Sequence, residues 1–85
     1  MNPTRRITRE ELDELAEAFN ATRAWRQQST GVYTTSANDW TFVVNYIDEL
    51  NCSAIAHNSI RNVEVQLSSN VTKVWYQTII TRHAN

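Results

Sequence analysis

With a single cysteine, Cys52, the chain can close no internal disulfide and build no thiolate zinc site. One glycine and one proline in 85 residues leave no flexible linker, no phosphate-cradling glycine loop and no Gly-x-Ser-x-Gly elbow. No paired-histidine metal motif occurs, no apolar run reaches membrane length, and no signal peptide pattern opens the chain. Basic charge is not in surplus either. Eight Lys and Arg stand against nine Asp and Glu, for a formal net charge of −1. That balance argues against general nucleic-acid binding, which needs a basic surface to displace counterions. These absences together lead to the expectation of a cytoplasmic protein with no metal, no cofactor, no membrane and no nucleic-acid partner.

What is present is enough for one small globular domain. Hydrophobic residues make up 41% of the chain and charged residues 20%, a balance far from that of a disordered segment. Residues 1–6 read as a flexible arm, with Pro3 blocking an early helix. Arg5, Arg6 and Arg9 read as solvated charge. The clearest local signal follows. Thr8 with Glu11 three residues on forms a capping box, and Ile7 with Leu12 has the spacing of a hydrophobic staple. Glu10, Glu11 and Asp13 suit the positive end of the helix dipole. Leu12, Leu15, Ala16 and Phe19 then share one stripe, so a helix runs from Thr8 to about Asn20–Arg23.

Trp25–Gln28 and Val32–Thr35 read as two short extended pieces around a turn at Ser29-Thr30-Gly31. The longest apolar stretch is Ser36–Ser59. Ser36 with Asp39 resembles an N-cap, and Trp40, Val43, Val44, Ile47, Asn51 and Ala54 recur at helical spacing. The spacing predicts a second helix here, with Cys52 as a buried thiol and Phe42 and Tyr46 near its far side. A strand over Trp40–Ile47 is the rival reading, since Trp, Phe, Val and Tyr favour sheet. Asn62–Leu67 alternates as a half-buried strand. Val71–Thr81 is rich in β-branched and aromatic residues and reads as its hairpin partner. A helix placing Val71, Val74, Trp75 and Thr78 together is the alternative.

The expected fold is a single α+β domain in the order α-β-(β)-α-β-β, a small antiparallel sheet with two helices on one face. Its expected core is Leu12, Leu15, Phe19, Trp40, Val43, Val44, Ile47, Val63, Val65, Leu67, Val74 and Ile80. Short edges and an apolar second face favour self-association in so small a domain.

Few residues suggest chemistry. Asp13, Glu14 and Glu17 form a solvated helix face. His57-Asn58-Ser59 is the one short polar cluster with a titratable group near neutrality, although a histidine at a helix end is more often a cap than a catalyst. His83 is the only other imidazole.

The order of elements resembles the pterin-4a-carbinolamine dehydratase family. The similar parts are Ile7-Thr8-Arg9-Glu10-Glu11-Leu12 opening the first helix, Trp25 just after it, the apolar segment FVVNYIDEL, and His57-Asn58-Ser59, which looks like the family's His-His-Pro motif. The resemblance implies a pterin substrate, with His57 as acid and base and Asn58 and His83 as helpers. The family's later histidine would fall on Asn70 or His83, and no aspartate follows either as the family's motif has it. The resemblance thus implies a chain that keeps the family's habit of assembly and has lost its catalysis. The functional expectation is a non-catalytic, oligomerising module that binds another protein or itself, with Phe42, Tyr46, Trp75 and Tyr76 as exposed anchors. An inhibitor or assembly factor of a virus or mobile element fits that description. The alternative is a minimal pterin dehydratase.

Overall fold

The structure, a computed structural model, describes residues 8–83. The expected arm over residues 1–6 and the Ile7 half of the staple lie outside the described residues. Helix α1 spans Arg9–Ala21, and five strands follow: β1 Arg26–Ser29, β2 Val32–Ala37, β3 Trp40–Asp48, β4 Asn51–Asn58 and β5 Val63–Leu67. Helix α2, Ser69–His83, closes the chain. The strands form one antiparallel sheet in the order β1-β2-β3-β4-β5, each paired with its neighbours in sequence. The α+β class, the antiparallel sheet and the two helices on one face are as the sequence predicts. Where the second helix falls in the chain is not.

Helix α1 begins as its capping box dictates. Thr8 Oγ1 accepts from the Glu11 amide at 3.2 Å, and the Thr8 amide donates to Glu11 Oε1 at 3.1 Å. At the other end Thr22 organises a buried polar knot. Its hydroxyl donates to the Phe19 carbonyl at 2.7 Å and accepts from Trp25 Nε1 at 3.1 Å. Arg82, from the last turn of α2, donates to the Thr22 hydroxyl at 2.9 Å and carbonyl at 3.2 Å. The buried Thr22 hydroxyl and the Trp25 indole N–H are thus both paired.

The predicted helix over Ser36–Ser59 is instead the β3–β4 hairpin. Trp40, Phe42 and Val44 are buried, while the residues between them face outward, so the period of the segment is two. The turn before it explains why the Ser36 cap reading fails. Asn38 and Asp39 both adopt positive φ, 52° and 70°, as a two-residue turn matched to sheet twist requires. The second turn, at Glu49-Leu50, is set by the Asp48 carboxylate, which accepts from the Leu50 and Asn51 amides at 2.8 Å each. Cys52 is accordingly not in a helix; it is a half-buried strand residue.

Val71–Thr81, predicted first as a strand, belongs to α2. Its start is fixed by Ser68, whose hydroxyl accepts from the Val71 amide at 3.3 Å and whose carbonyl accepts from Thr72 at 2.9 Å. Thr72, Trp75 and Ile79, spaced i, i+3, i+7, are the buried face. Burial of that stripe overrides the weak helix propensity of a β-branched segment. The alternative stripe through Val71 and Val74 faces outward.

Both helices pack on the same face of the sheet, where Phe42 meets Phe19 at 6.0 Å and Trp75 at 5.4 Å. Phe19 and Trp75 stack at 4.0 Å and join the two helices. Of the predicted core, Leu15, Phe19, Trp40, Val44 and Val63 are buried, and Val65 and Leu67 pack against them. Leu12, Val43, Ile47, Val74 and Ile80 are exposed. Val43 and Ile47 lie one position out of phase with the buried set, as a strand demands.

Candidate functional site

The structure separates the predicted catalytic residues. His57 and Asn58 are adjacent on β4 and so point to opposite faces of the sheet. Asn58 sits on the helix-covered face, 3% exposed. Its side-chain oxygen accepts from the Ile60 amide at 3.1 Å and the Arg61 amide at 3.0 Å, shaping the β4–β5 turn. That is a structural duty, as a turn-former. His57 lies half-buried on the other face, opposite Thr41 on β3 and Glu64 on β5. His83 ends α2, which packs on the face away from His57. The helix that was to lead into His57-Asn58-Ser59 is strand β4.

The four predicted anchors also divide. Phe42 is wholly buried and Trp75 is 8% exposed, so neither is an exposed aromatic. Tyr46 and Tyr76 are half-buried and stack on each other at 4.5 Å, with Tyr33 beside Tyr76 at 6.0 Å. The pair caps the rim of the helix-covered face. Nearby, Lys73 Nζ meets Glu49 Oε1 at 2.6 Å and ties α2 to the β3–β4 turn. That hydrogen bond and charge hold the Glu49 carboxyl below its usual range, and the Asn51 side chain with the Leu50 amide does the same for Asp48. Among the described residues, no cluster of three His, Cys, Asp or Glu could hold a metal ion, and no helix is long and apolar enough to cross a membrane.

The sequence leads to an apolar second face of the sheet but not to the residues that form it; neither helix covers that face. The strand register arranges it in rows. The central row runs Arg26, Thr34, Val43, Ile55 and Gln66 across all five strands. To one side lies Ser36, Thr41, His57 and Glu64. To the other lies Val32, Asn45 and Ser53, with Ile47 further along β3. The face thus has a β-branched centre, small hydroxyl residues around it, one cation at the β1 edge and one anion at the β5 edge. None of these rows holds a Phe, Trp or Tyr. The β1–β3 corner is concave, a groove of about 760 Å³ whose lining includes Trp25 as well as Arg26, Thr34, Ser36, Thr41 and Val43. In the third row Asn45 Oδ1 is buried with no hydrogen-bond donor. A signal for this face was present: Thr41, Val43, Asn45 and Ile47 alternate with Trp40, Phe42, Val44 and Tyr46.

No family model, curated protein or solved structure matches the chain.

Proposed function

We propose that the chain is a small non-catalytic protein-binding module whose working surface is the uncovered face of the sheet. One observation carries the reading: Val43 and Ile55, directly paired across β3 and β4, stand at the centre of a face that no element among the described residues covers. An antiparallel sheet commonly leaves one face to water, and such a face is then polar. Here its middle is Val and Ile beside Thr, with Val32 and Ile47 extending it. A surface of this composition suits packing against another protein better than it suits chemistry.

The dehydratase alternative would have to work through His57 without Asn58, and from the far side of the sheet from α2. Both arrangements weigh against it.

The test is a paired substitution, Val43→Asp with Ile55→Lys. Both side chains point away from the core, so the melting temperature is expected to stay close to wild type. Capture of proteins from the native host by the wild-type chain is expected to disappear in the variant. Unchanged capture by a folded variant would overturn the reading.

A further inference from the structure

We propose that Arg23 and Arg82 form a clamp for a phosphoryl group at the seam between the two helices. The site stands apart from the uncovered face of the sheet and does not depend on what that face binds.

One shared oxygen brings the two arginines together. Arg23, two residues past the end of α1, donates through Nη1 to the Thr22 carbonyl at 3.1 Å and to the Asn20 carbonyl at 3.2 Å. Arg82, in the last turn of α2, donates through its own Nη1 to the same Thr22 carbonyl at 3.2 Å and to the Thr22 hydroxyl at 2.9 Å. The two Nη1 atoms are therefore within roughly 6 Å of each other. Each guanidinium is held by Nη1 alone. Among the described residues, no acceptor meets the Nε or Nη2 of either arginine. On both, the flat Nε–Nη2 edge is left free, and its two parallel N–H groups match two oxygens of one acid group. Both residues are exposed. Arg82 is also steadied over the Phe19 ring, 5.9 Å from the centroid.

Charge is the second observation. Arg61 pairs with Glu11 and Glu14, and Lys73 pairs with Glu49. Among the described residues, no carboxylate comes within ion-pair distance of Arg23 or Arg82. Two like charges are thus held close together without a counter-ion. The C-terminal ends of α1 and α2 each carry about half a negative charge, which leaves about one positive charge uncompensated. Capping of helix carbonyls accounts for the Nη1 bonds, but it gives the outer edges nothing to hold.

The number of edges selects the ligand. A carboxylate has two oxygens and satisfies one edge. A phosphate monoester has three terminal oxygens and a charge of about −1.5 to −2 at pH 7, so it can take an edge on each side. Charge-assisted contacts of about 2.7–2.9 Å on either side of it reach across the gap between the arginines.

The experiment is an NMR titration of the full chain at pH 7 with phenyl phosphate, read from the arginine Nε–H signals. Inorganic phosphate and benzoate are the comparison probes. Phenyl phosphate is expected to shift the Arg23 and Arg82 signals along one saturable curve in the millimolar range, leaving Arg9 unmoved. R23Q is expected to weaken binding about tenfold and to melt close to wild type, since Arg23 is exposed. R82K keeps its charge but loses the paired donors, and is expected to weaken binding by a similar factor. R9Q is expected to bind as wild type does. Equal binding of the two phosphates identifies free phosphate as the ligand, and tighter binding of the ester identifies a phosphorylated molecule; either outcome upholds the clamp. Benzoate binding as tightly as phenyl phosphate overturns the phosphoryl assignment. The clamp itself is overturned by the lack of a saturable shift, by a shift of only one of the two arginines, or by unchanged binding in folded R23Q and R82K.

Discussion

Phe42 and Val43 are neighbours in sequence on one strand, and the structure assigns them opposite environments. Phe42 is fully buried among Phe19, Trp25 and Trp75, with ring centroids 6.0, 6.2 and 5.4 Å away. Val43 points to the uncovered face and is 37% exposed. Removing a buried Phe side chain to Ala costs about 3–5 kcal/mol, from lost transfer energy and the cavity left behind. A domain of this length has a total stability of about 4–13 kcal/mol, taking 0.05–0.15 kcal/mol per residue. Phe42→Ala is therefore expected to remove from about a quarter to all of that stability. Phe42→Leu keeps most of the volume and is expected to cost about 1.5 kcal/mol. At about 4–8 °C per kcal/mol for a small domain, that lowers the melting temperature by roughly 6–12 °C. Val43→Ala is expected to stay within about 0.5 kcal/mol of wild type. Thermal and urea denaturation followed by far-UV circular dichroism reads all three. Equal losses for Phe42→Leu and Val43→Ala would refute the strand phase. A fully stable Phe42→Ala that had merely lost binding would return Phe42 to the role of a surface anchor.

Gly31 has φ of +77°, and a Cβ there would stand 2.7 Å from the Tyr46 carbonyl oxygen; Gly31→Ala is expected to cost at least about 2 kcal/mol in urea denaturation. Thr22→Val strips the hydroxyl that accepts from both Trp25 and Arg82, and a loss of about 1–3 kcal/mol is expected. Asp48 and Glu49 have carboxyls held below their usual range in the folded state. A depressed carboxylate contributes stability above its unfolded pKa and loses it as pH falls through the folded one, so melting temperature should decline below about pH 4. That decline should be smaller in Asp48→Asn. His57→Ala is expected to melt like wild type, and neither protein is expected to accelerate dehydration of a pterin carbinolamine; a rate dependent on His57 would revive the catalytic alternative.

Helix α1 was legible because its signals are local: the Thr8–Glu11 box needs nothing beyond four residues. The turn at Thr30-Gly31 and the alternation of β5 were legible for the same reason. The β3–β4 hairpin was not, since the turns at the two ends of β3 lack the usual glycine marker. Asn38-Asp39 contains no glycine, and Glu49-Leu50 is held by a side chain, Asp48. Ala54 and Ala56, good helix formers, are buried in β4 opposite Val44 and Phe42. Trp40, Val43, Val44 and Ile47 satisfy a helical period by coincidence, while Trp40, Phe42 and Val44 satisfy the sheet's period in fact. Helix α2 shows the reverse conflict, β-branched residues wound into a helix because Thr72, Trp75 and Ile79 must reach the sheet. An apolar second face was expected, but its residues could not be assigned until the strand phase was fixed, since one step of register moves Val43 from surface to core.

The order β1-β2-β3-β4-β5 has a kinetic consequence. Every strand pairs only with its neighbour in sequence, across connections of two to four residues. The sheet can therefore zip from hairpin to hairpin without closing a long loop, and chains with such local contacts fold quickly. The slow step left over is the meeting of the two ends, where Arg82 reaches Thr22 from 60 residues away and Trp75 slides onto Phe19. Mutations in that seam, such as Thr22→Val, are then expected to slow refolding and not only to speed unfolding.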